Sequence, residues 1–425
     1  MGFYELFNHI PIIMPKIRNY DRFNDMSNNE EKIEELLNRG VSAIYPSKKD
    51  LEDVLNSGKK LRLYQGFDPT GDKLHIGHMV GLRKHRQWQD LGHEVIFLIG
   101  DGTGTAGDPT GKKKTREKFF TKEELRENAK DYLSQASKIV RFDGENPIKI
   151  MYNGDWLDKL TKVDILDIAG HFSLQQLIER DMFQERLKAG ETINMREFLY
   201  PLLQGYDSVA MDVDLELGGS DQTFNMLAGR TLMKAMKGKE KFVMTTPLLA
   251  DSNGVKIGKS EGNVIGLLDS PEDLFGKIMS LGDEAIIPMF ILLTDTPTSE
   301  IEKFDLKKEA FDLKKRVASI IVEQLHNKNE SEKAKENFEN TFGKGEFPKE
   351  AQIIKIKKEA KIIDVLVENK IVESKTEYRR LVEAGAVSDQ TSLPDKKIIN
   401  PNDLIGNKER KIKIGKKTFV ILKPE

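Results

Sequence analysis

The sequence predicts an α/β protein in which a parallel-sheet domain is followed by a helical domain and a small α+β domain. Three observations support this prediction. A strand, a helix and a second strand follow one another between residues 61 and 99. No glycine interrupts the charged, helical segment between Gly282 and Gly343. The last residues contain a short helix and a hairpin. With 425 residues, the chain is long enough for two or three domains.

The composition is that of a globular protein. Apolar residues make up 38% of the chain and charged residues 32%. The longest apolar stretch, Ala285 to Leu293, contains a proline and is too short to span a membrane, so we expect no membrane association. Cysteine is absent, which excludes disulfides and thiol catalysis and fits a reducing, cytoplasmic environment.

The first 27 residues are expected to form an N-terminal extension. Residues 10–15 are too short and too rich in proline for a signal sequence. From Ser27 the order of residues is polar, then acidic, then apolar, which is typical of a helix start. The segment 1–27 is therefore either an extension or a stretch that precedes a true start at Met26.

The first domain, residues 28–270, is predicted to begin with helices and then a βαβ unit. Apolar residues recur at helical spacing over 30–57. Alternation predicts a strand over 61–66, and a helix over 77–91 is closed by a glycine. A run of apolar residues predicts a buried strand over 94–99. This order implies a parallel sheet with a ligand site at the carboxyl ends of its strands.

Further helices and strands complete this domain and lead into the others. Residues 122–140 are predicted to form a helix and 148–152 a strand, while 160–235 are mostly helical and form an insertion in the sheet. Residues 271–342 are expected to form a helical domain, and the glycines and proline after 342 predict a linker over 343–355.

The last domain, residues 356–425, is predicted from two local patterns. Ser374 and Glu377 form a capping box that begins a helix, which Gly385 ends. Alternating residues over 411–422 predict a hairpin. From 355 to 425 there are seventeen Lys or Arg residues and eleven Asp or Glu, so an excess of +6 favours an anionic partner.

Two short motifs carry most of the chemical information: Leu74–His78 and Lys256–Ser260. His75 and His78 lie on one helix face just after a strand and a turn, where anions bind. The same spacing also suits two metal ligands, although no HExxH motif or cysteine accompanies it. The second motif places two ammonium groups on a glycine-flanked loop.

The stretch Gly102–Gly107 is a literal GxGxxG after a strand, which suits dinucleotide binding. Its third glycine, however, is followed at once by Asp108 and a proline, so it is expected to open a turn rather than a helix. The following glycines are spaced too closely for a P-loop. We interpret the stretch as an active-site loop with Asp108, Lys112 and Arg116.

Three polar residues, Tyr200, Gln204 and Asp207, are spaced i, i+4 and i+7, so they lie on one face of a helix. Such a face can line a pocket, or it can be the polar side of an amphipathic surface helix.

Together, the two motifs resemble the HIGH and KMSKS signatures of class I aminoacyl-tRNA synthetases, with Ile and Gly in place of Met and the first Ser of KMSKS. The surrounding residues narrow the likeness to bacterial-type tyrosyl-tRNA synthetases, from about Asn28 to the end of the chain. Thr223 and Phe224 replace the usual Trp-Gly, which resembles the less common bacterial subtype. The resemblance implies a Rossmann-like catalytic domain, a helical domain on the anticodon side and a small RNA-binding domain. A ribosomal protein and pseudouridine synthases share the RNA-binding fold.

The resemblance also implies residue roles. The expected catalytic residues are Thr70, His75, His78, Lys112, Arg116, Lys256 and Lys259. The expected tyrosine-binding residues are Tyr64, Asp108, Tyr200, Gln204, Asp207 and Gln222. The expected ATP-binding residues are Gly66, Asp68, His75, Gly77, His78, Gly219, Asp221 and Lys259, where Gly77 lets the adenine approach the backbone. The expected RNA-binding residues are Lys375, Arg379 and Arg380.

The implied activity is formation of tyrosyl-adenylate from L-tyrosine and ATP, followed by transfer to the 3′-terminal adenosine of tRNA(Tyr). Mg²⁺ is expected to accompany ATP without a dedicated protein site, and a homodimer is expected. Three alternatives remain. A tryptophanyl ligase shares the signatures, although the polar Tyr64 and Asp207 suit a phenol better. A non-enzymatic RNA-binding paralogue would lose the signature lysines and histidines. A dinucleotide oxidoreductase rests on the GxGxxG motif alone.

Overall fold

The computed structural model describes residues 29–71, 73–110, 119–250, 264–343, 351–356, 360–391, 396–398, 400–406, 408–415 and 418–424. The predicted extension 1–27, the four predicted catalytic cations and residues 344–350 of the predicted linker lie outside these ranges. Those cations are Lys112, Arg116, Lys256 and Lys259. The chain divides after Lys328 into two compact units.

The first unit contains a six-stranded sheet in the order β1-β6-β5-β2-β3-β4. Its strands are β1 (Ala43–Tyr45), β2 (Arg62–Phe67), β3 (Glu94–Ile99), β4 (Lys149–Tyr152), β5 (Leu215–Gly219) and β6 (Phe242–Thr246). All neighbouring strands are parallel except β1, which pairs antiparallel with β6. The predicted α/β class with a parallel sheet is confirmed.

The strand order places a ligand crevice at the middle of the sheet. From β2 the chain proceeds to β3 and β4 on one side, whereas β5 and β6 lie on the other side. The strand order therefore reverses between β2 and β5. In open α/β sheets, ligands bind outside the carboxyl ends of the strands at such a reversal.

The helices of the first unit cover the sheet and extend beyond it. They are α1 (Asn29–Asn38), α2 (Lys48–Asn56), α3 (Ile76–Asp90), α4 (Thr103–Ala106), α5 (Lys122–Ala136), α6 (Gly154–Leu157), α7 (Lys162–Gly170), α8 (Leu174–Ile178), α9 (Asp181–Lys188), α10 (Met195–Met211), α11 (Thr223–Leu232), α12 (Pro271–Met279), α13 (Ile286–Leu293), α14 (Thr298–Ile301) and α15 (Leu306–Leu325). No helix among the described residues is long and apolar enough to cross a membrane.

Local signals account for many of these boundaries. Side chains of Thr121, Thr161, Ser173 and Asn194 cap α5, α7, α8 and α10, each with a reciprocal capping box. The helix predicted over 77–91 is confirmed as α3. The strands predicted over 94–99 and 148–152 are confirmed as β3 and β4.

The helices predicted over residues 30–57 are confirmed as α1 and α2, but the prediction missed a strand between them. β1 lies between α1 and α2 and is only three residues long, too short to show an alternating pattern. Its pairing with β6, far along the chain, makes it a strand. The insertion at 160–235 is mostly helical as expected, and it also contains β5.

The second unit contains α16 (Lys328–Phe338), α17 (Ile362–Glu368), α18 (Lys375–Glu383) and a five-stranded sheet in the order β7-β11-β10-β8-β9. Its strands are β7 (Gln352–Ile356), β8 (Val387–Asp389), β9 (Lys396–Lys397), β10 (Arg410–Ile414) and β11 (Thr418–Pro424). The predicted hairpin is confirmed as β10 and β11. Ser374 caps α18, and Gly385 follows it with φ +65°. The predicted capping box is only half formed, because the Glu377 carboxylate accepts from the backbone N–H of Glu373 and not of Ser374. This unit has its own apolar core, which includes Tyr378 and Ile412.

Candidate active site

A cavity of about 310 Å³ opens at the carboxyl ends of the parallel strands, where the strand order reverses. It is lined by every described residue that the sequence predicted for the tyrosine, ATP and histidine sites: Tyr64, Gly66, Asp68, Thr70, His75, Gly77, His78, Asp108, Tyr200, Gln204, Asp207, Gly219, Asp221 and Gln222. The fold therefore brings these residues together from four separate parts of the chain.

His75 and His78 form the start of α3. The backbone N–H of Gly77 donates to Nδ1 of His75 at 3.1 Å, and the backbone N–H of His75 donates to Nδ1 of His78 at 3.1 Å. Because each Nδ1 is an acceptor, the neutral rings carry their protons on Nε2. The ring centroids are 4.0 Å apart. The Nε2–H groups of His75 and His78 are thus two donors at a helix N-terminus, an arrangement that suits an anion better than a metal ion.

Gly77 is required by this cap itself. A Cβ atom at position 77 would lie 2.9 Å from two atoms of the His75 ring. Any side chain would therefore displace the ring that caps the helix. The His75 ring therefore gives a second reason for a glycine at position 77, besides the predicted approach of adenine to the backbone.

Asp207 is a buried carboxylate held by two donors that the sequence analysis missed. Trp156 Nε1 donates to Oδ1 at 2.8 Å, and Asn153 Nδ2 donates to Oδ2 at 3.0 Å. Burial raises the pKa of Asp207 well above its usual value, while these two hydrogen bonds lower it. Asn153 and Trp156 come directly after β4, so their position at the carboxyl end of a strand is the signal that could have identified them.

Asn153 also fixes the loop that contains the GxGxxG motif. Its Oδ1 accepts from the backbone N–H of Gly102 at 2.8 Å, and its Nδ2 donates to Thr103 Oγ1 at 2.9 Å. The motif forms the short helix α4, and Gly107 ends it with φ +82°. The third glycine therefore does not open a helix, as expected, and the loop differs from a dinucleotide-binding turn.

Tyr64 lies on β2 and lines the cavity. Its hydroxyl is 3.0 Å from Ser208 Oγ on α10, and the side chain is fully buried. Burial raises the pKa of Tyr64 well above its usual value, and the nearby carboxylates Glu216 and Asp207 raise it further. The phenol group of Tyr64 is therefore a neutral hydrogen-bonding group at neutral pH.

Asp68 and Asp108 are each oriented by two donors. Tyr200 Oη donates to Asp68 Oδ2 at 2.8 Å, and Thr103 Oγ1 donates to Asp68 Oδ1 at 2.7 Å. Gln222 Nε2 donates to Asp108 Oδ2 at 2.8 Å, and the backbone N–H of Thr110 donates to Oδ1 at 2.9 Å. Both carboxylates line the cavity, which gives it a negative wall suited to an ammonium group.

The packing behind Gln222 is also defined by the structure. Asn225 Nδ2 donates to Gln222 Oε1 at 2.8 Å. The guanidinium of Arg180 lies 4.6 Å from the ring centroid of Phe224, the residue that departs from the usual Trp-Gly pattern. Gln222 is therefore held between Asn225 and Asp108.

The three predicted RNA-binding residues are exposed on α18 in the second unit. Lys375 Nζ is 2.7 Å from Asp364 Oδ1, which lowers the pKa of that carboxyl. Within the described residues, Arg379 and Arg380 form no ion pair of this kind. The two arginines therefore carry most of the available positive charge of this helix.

Comparison with known proteins identifies the family. Residues 56–343 match the model for tRNA synthetases class I (W and Y). The chain is 40% identical over 373 residues to the tyrosine–tRNA ligase of Aquifex aeolicus, covering 87% of this chain and 93% of the relative. It is 41% identical over 398 residues to the tyrosine–tRNA ligase of Thermotoga maritima, covering 92% and 96%. The chain belongs to the class I tyrosine–tRNA ligases.

Solved structures of tyrosyl-tRNA synthetases share this fold. The C-terminally truncated mitochondrial enzyme of Coccidioides posadasii matches with a TM-score of 0.58 and 25% identity, over 72% of this chain and 91% of that chain. The Archaeoglobus fulgidus enzyme, solved in complex with L-tyrosine, matches with a TM-score of 0.55 and 21% identity, over 72% and 98%. Membership of the tyrosine–tRNA ligases rules out the dinucleotide oxidoreductase and the tryptophanyl alternative.

Proposed function

We propose that the cavity of this tyrosine–tRNA ligase joins L-tyrosine to ATP as tyrosyl-adenylate and then transfers tyrosine to the 3′-terminal adenosine of tRNA(Tyr). One observation carries the proposal. A single cavity contains a buried, doubly hydrogen-bonded Asp207 at one place and the histidine-capped N-terminus of α3 at another. The first suits a phenol, and the second suits phosphate.

The tyrosine subsite would use two groups of cavity residues, one for the phenol and one for the ammonium group of the substrate. Asp207 accepts a hydrogen bond from the phenol hydroxyl, and Tyr64 is the second phenol partner. The acidic wall formed by Asp108 and its neighbours takes the ammonium group, with Tyr200, Gln204 and Gln222. Each of these groups is already hydrogen-bonded to another protein group, so little side-chain entropy remains to be lost on binding.

In the chemical step, the tyrosine carboxylate attacks the α-phosphorus of ATP and the bond to pyrophosphate breaks. No protein side chain needs to form a covalent bond. The enzyme accelerates this step by positioning the two substrates and by stabilising the charge on the phosphates. His75, His78 and Thr70 contribute donors from the described part of the site. The cations Lys112, Arg116, Lys256 and Lys259 are proposed to add positive charge.

ATP would lie along the glycine-rich edge of the cavity. The proposed contacts are Gly66, Asp68, Gly77, Gly219 and Asp221. Mg²⁺ is proposed to enter with the ATP phosphates. The described residues contain no group of three or more His, Cys, Asp or Glu side chains placed to bind a metal ion.

A homodimer is proposed from apolar residues that the folded chain leaves at the surface of α7, α8, α9 and α10. Leu166 is 71% exposed and Met195 is 70% exposed, and Val163, Leu174 and Leu187 are exposed as well. Large apolar side chains concentrated in one stretch of surface helices are typical of a protein interface. A second copy of the chain would bury them.

The RNA partner is proposed to contact two regions. Residues 271–342 would form the anticodon-side domain, and residues 356–425 would bind RNA through Lys375, Arg379 and Arg380. The end of the predicted linker 343–355 forms part of β7, which pairs with β11 in the sheet of the second unit. We place this ligase in the cytoplasm, where translation takes place.

Amino-acid-dependent exchange between ATP and labelled pyrophosphate tests the reaction directly. We expect tyrosine alone among the twenty amino acids to support rapid exchange, and tRNA(Tyr) to accept the product. Exchange supported best by another amino acid would overturn the assignment of the cavity. Asp207→Ala provides an inactive reference with the rest of the chain unchanged.

A further inference from the structure

Glu216, which lines the cavity, forms a fully buried ion pair with Lys241, and no step proposed above uses this pair. Glu216 is on β5 and Lys241 immediately precedes β6. Lys241 Nζ contacts Glu216 Oε2, and the side chains are 0% and 2% exposed. Burial lowers the pKa of Lys241, and the adjacent Glu216 carboxylate raises it. Such a pair contributes little net stability relative to apolar residues, because desolvation offsets the attraction.

The hydrogen bonds of this pair lead to the cavity. The second oxygen of Glu216, Oε1, accepts from Gln204 Nε2 at 2.9 Å. Lys241 Nζ donates to Ser208 Oγ at 2.8 Å, and Ser208 Oγ is 3.0 Å from the Tyr64 hydroxyl. Tyr64 and Glu216 are also opposite each other in the register of β2 and β5. The pair is therefore connected to groups at both ends of the proposed tyrosine subsite.

The bond to Glu216 determines which way the Gln204 amide faces. A carboxylate can only accept hydrogen bonds, so it takes the NH₂ end of the amide and leaves the carbonyl oxygen on the other side. That oxygen, Gln204 Oε1, is buried and has no hydrogen-bond partner among the described residues. Gln204 lines the cavity. A buried acceptor without a partner is costly, and an ammonium group is the donor that would satisfy it.

We propose that the Glu216–Lys241 pair is a positioning device that holds the Gln204 carbonyl oxygen toward the amino group of the substrate. The proposal rests on the proposed tyrosine subsite. Lys241 pairs with Glu216 Oε2, which leaves Glu216 Oε1 as the acceptor for Gln204 Nε2. Without that constraint the amide can turn its NH₂ group toward the substrate, where it would repel an ammonium group.

Binding of three ligands separates this role from a structural one. L-Tyrosine and tyramine both carry the ammonium group, whereas 3-(4-hydroxyphenyl)propionate carries the phenol without it. In Glu216→Gln the side chain at position 216 has an NH₂ group that can donate a hydrogen bond. The orientation of the Gln204 amide is then no longer fixed. We expect affinity for tyrosine and tyramine to fall by roughly tenfold, the effect of one hydrogen bond to a charged group. Affinity for the propionate should stay unchanged.

Two further variants keep the test decisive. Glu216→Gln combined with Lys241→Met removes both charges, so no buried charge is left unpaired if the single variant folds poorly. In a Gln204→Met background, Glu216→Gln should have no further effect on tyrosine affinity, because the two residues act as one unit. Calorimetric titration of each folded variant provides the affinities.

An equal loss of affinity for all three ligands would overturn the proposal, because a damaged pocket would not distinguish them. Unchanged tyrosine affinity in the folded variants would overturn it as well. Failure of the parent chain to bind tyrosine more tightly than the propionate would instead overturn the proposed ammonium subsite itself.

Discussion

Replacement of Asp207 by Asn should reduce discrimination between tyrosine and phenylalanine while leaving the use of phenylalanine unchanged. In the structure, Asp207 accepts from Trp156 at 2.8 Å and from Asn153 at 3.0 Å. Both donors hold the carboxylate in place, and its remaining lone pairs can accept a hydrogen bond from the phenol hydroxyl. Asparagine has one acceptor oxygen, so its NH₂ group must face one of these donors or the substrate hydroxyl.

The expected magnitude follows from the bond that is lost. A hydrogen bond to a charged group is worth about 1.5–3 kcal/mol, which corresponds to roughly 10- to 150-fold in kcat/KM for tyrosine. Phenylalanine has no hydroxyl and never makes this bond. The ratio of the two kcat/KM values should therefore fall by the same factor.

Competitive pyrophosphate exchange with the two amino acids measures this ratio directly. Asp214→Asn is a matched control, since Asp214 is a carboxylate of the same unit that pairs with Lys59 and Lys239 and does not line the cavity. The control should retain the parental ratio. If Asp207→Asn lowered kcat/KM equally for tyrosine and phenylalanine, Asp207 would act on the pocket as a whole and the assignment to the phenol would fail.

The remaining predictions concern phosphate, RNA and pH. Lys256→Ala or Lys259→Ala should lower the single-turnover rate of adenylate formation by roughly 10- to 1,000-fold with little change in tyrosine affinity, and an unchanged rate would contradict their role. Arg379→Ala should weaken tRNA charging and reduce its salt dependence without changing pyrophosphate exchange, whereas equal loss of both steps would contradict a separate RNA-binding role. Burial lowers the pKa of His85 to about 3. The unfolded chain therefore binds more protons below pH 6.5, and stability is lost as the pH falls from 6.5 toward 3. Between pH 7 and pH 5 this one residue should cost about 2 kcal/mol of unfolding free energy. Denaturant titrations of His85→Phe should show a smaller loss of unfolding free energy between pH 7 and pH 5 than those of the parent chain. An equal loss would show that protonation of His85 does not cause it.

The sequence by itself determined the features that depend on residues a few positions apart. The helix with Tyr200, Gln204 and Asp207 on one face, the strand β3, the glycine after α3 and the Ser374 cap of α18 are all confirmed. Each is set by spacing within one or two helical turns or by alternation along one strand. Such patterns are visible without knowledge of what the element packs against.

The tertiary structure alone decided the contacts between distant segments. β1 is a strand because it pairs with β6. Asp207 gains Asn153 and Trp156 because their segment follows a strand that ends beside the same cavity. Glu216 meets Lys241 because β5 and β6 are neighbours, and it meets Gln204 because α10 brings that side chain to β5. These contacts depend on strand order and helix packing, and burial then determines how strongly they shift each pKa. A local pattern can place a residue at the end of a strand, but it does not specify which distant residue that side chain contacts.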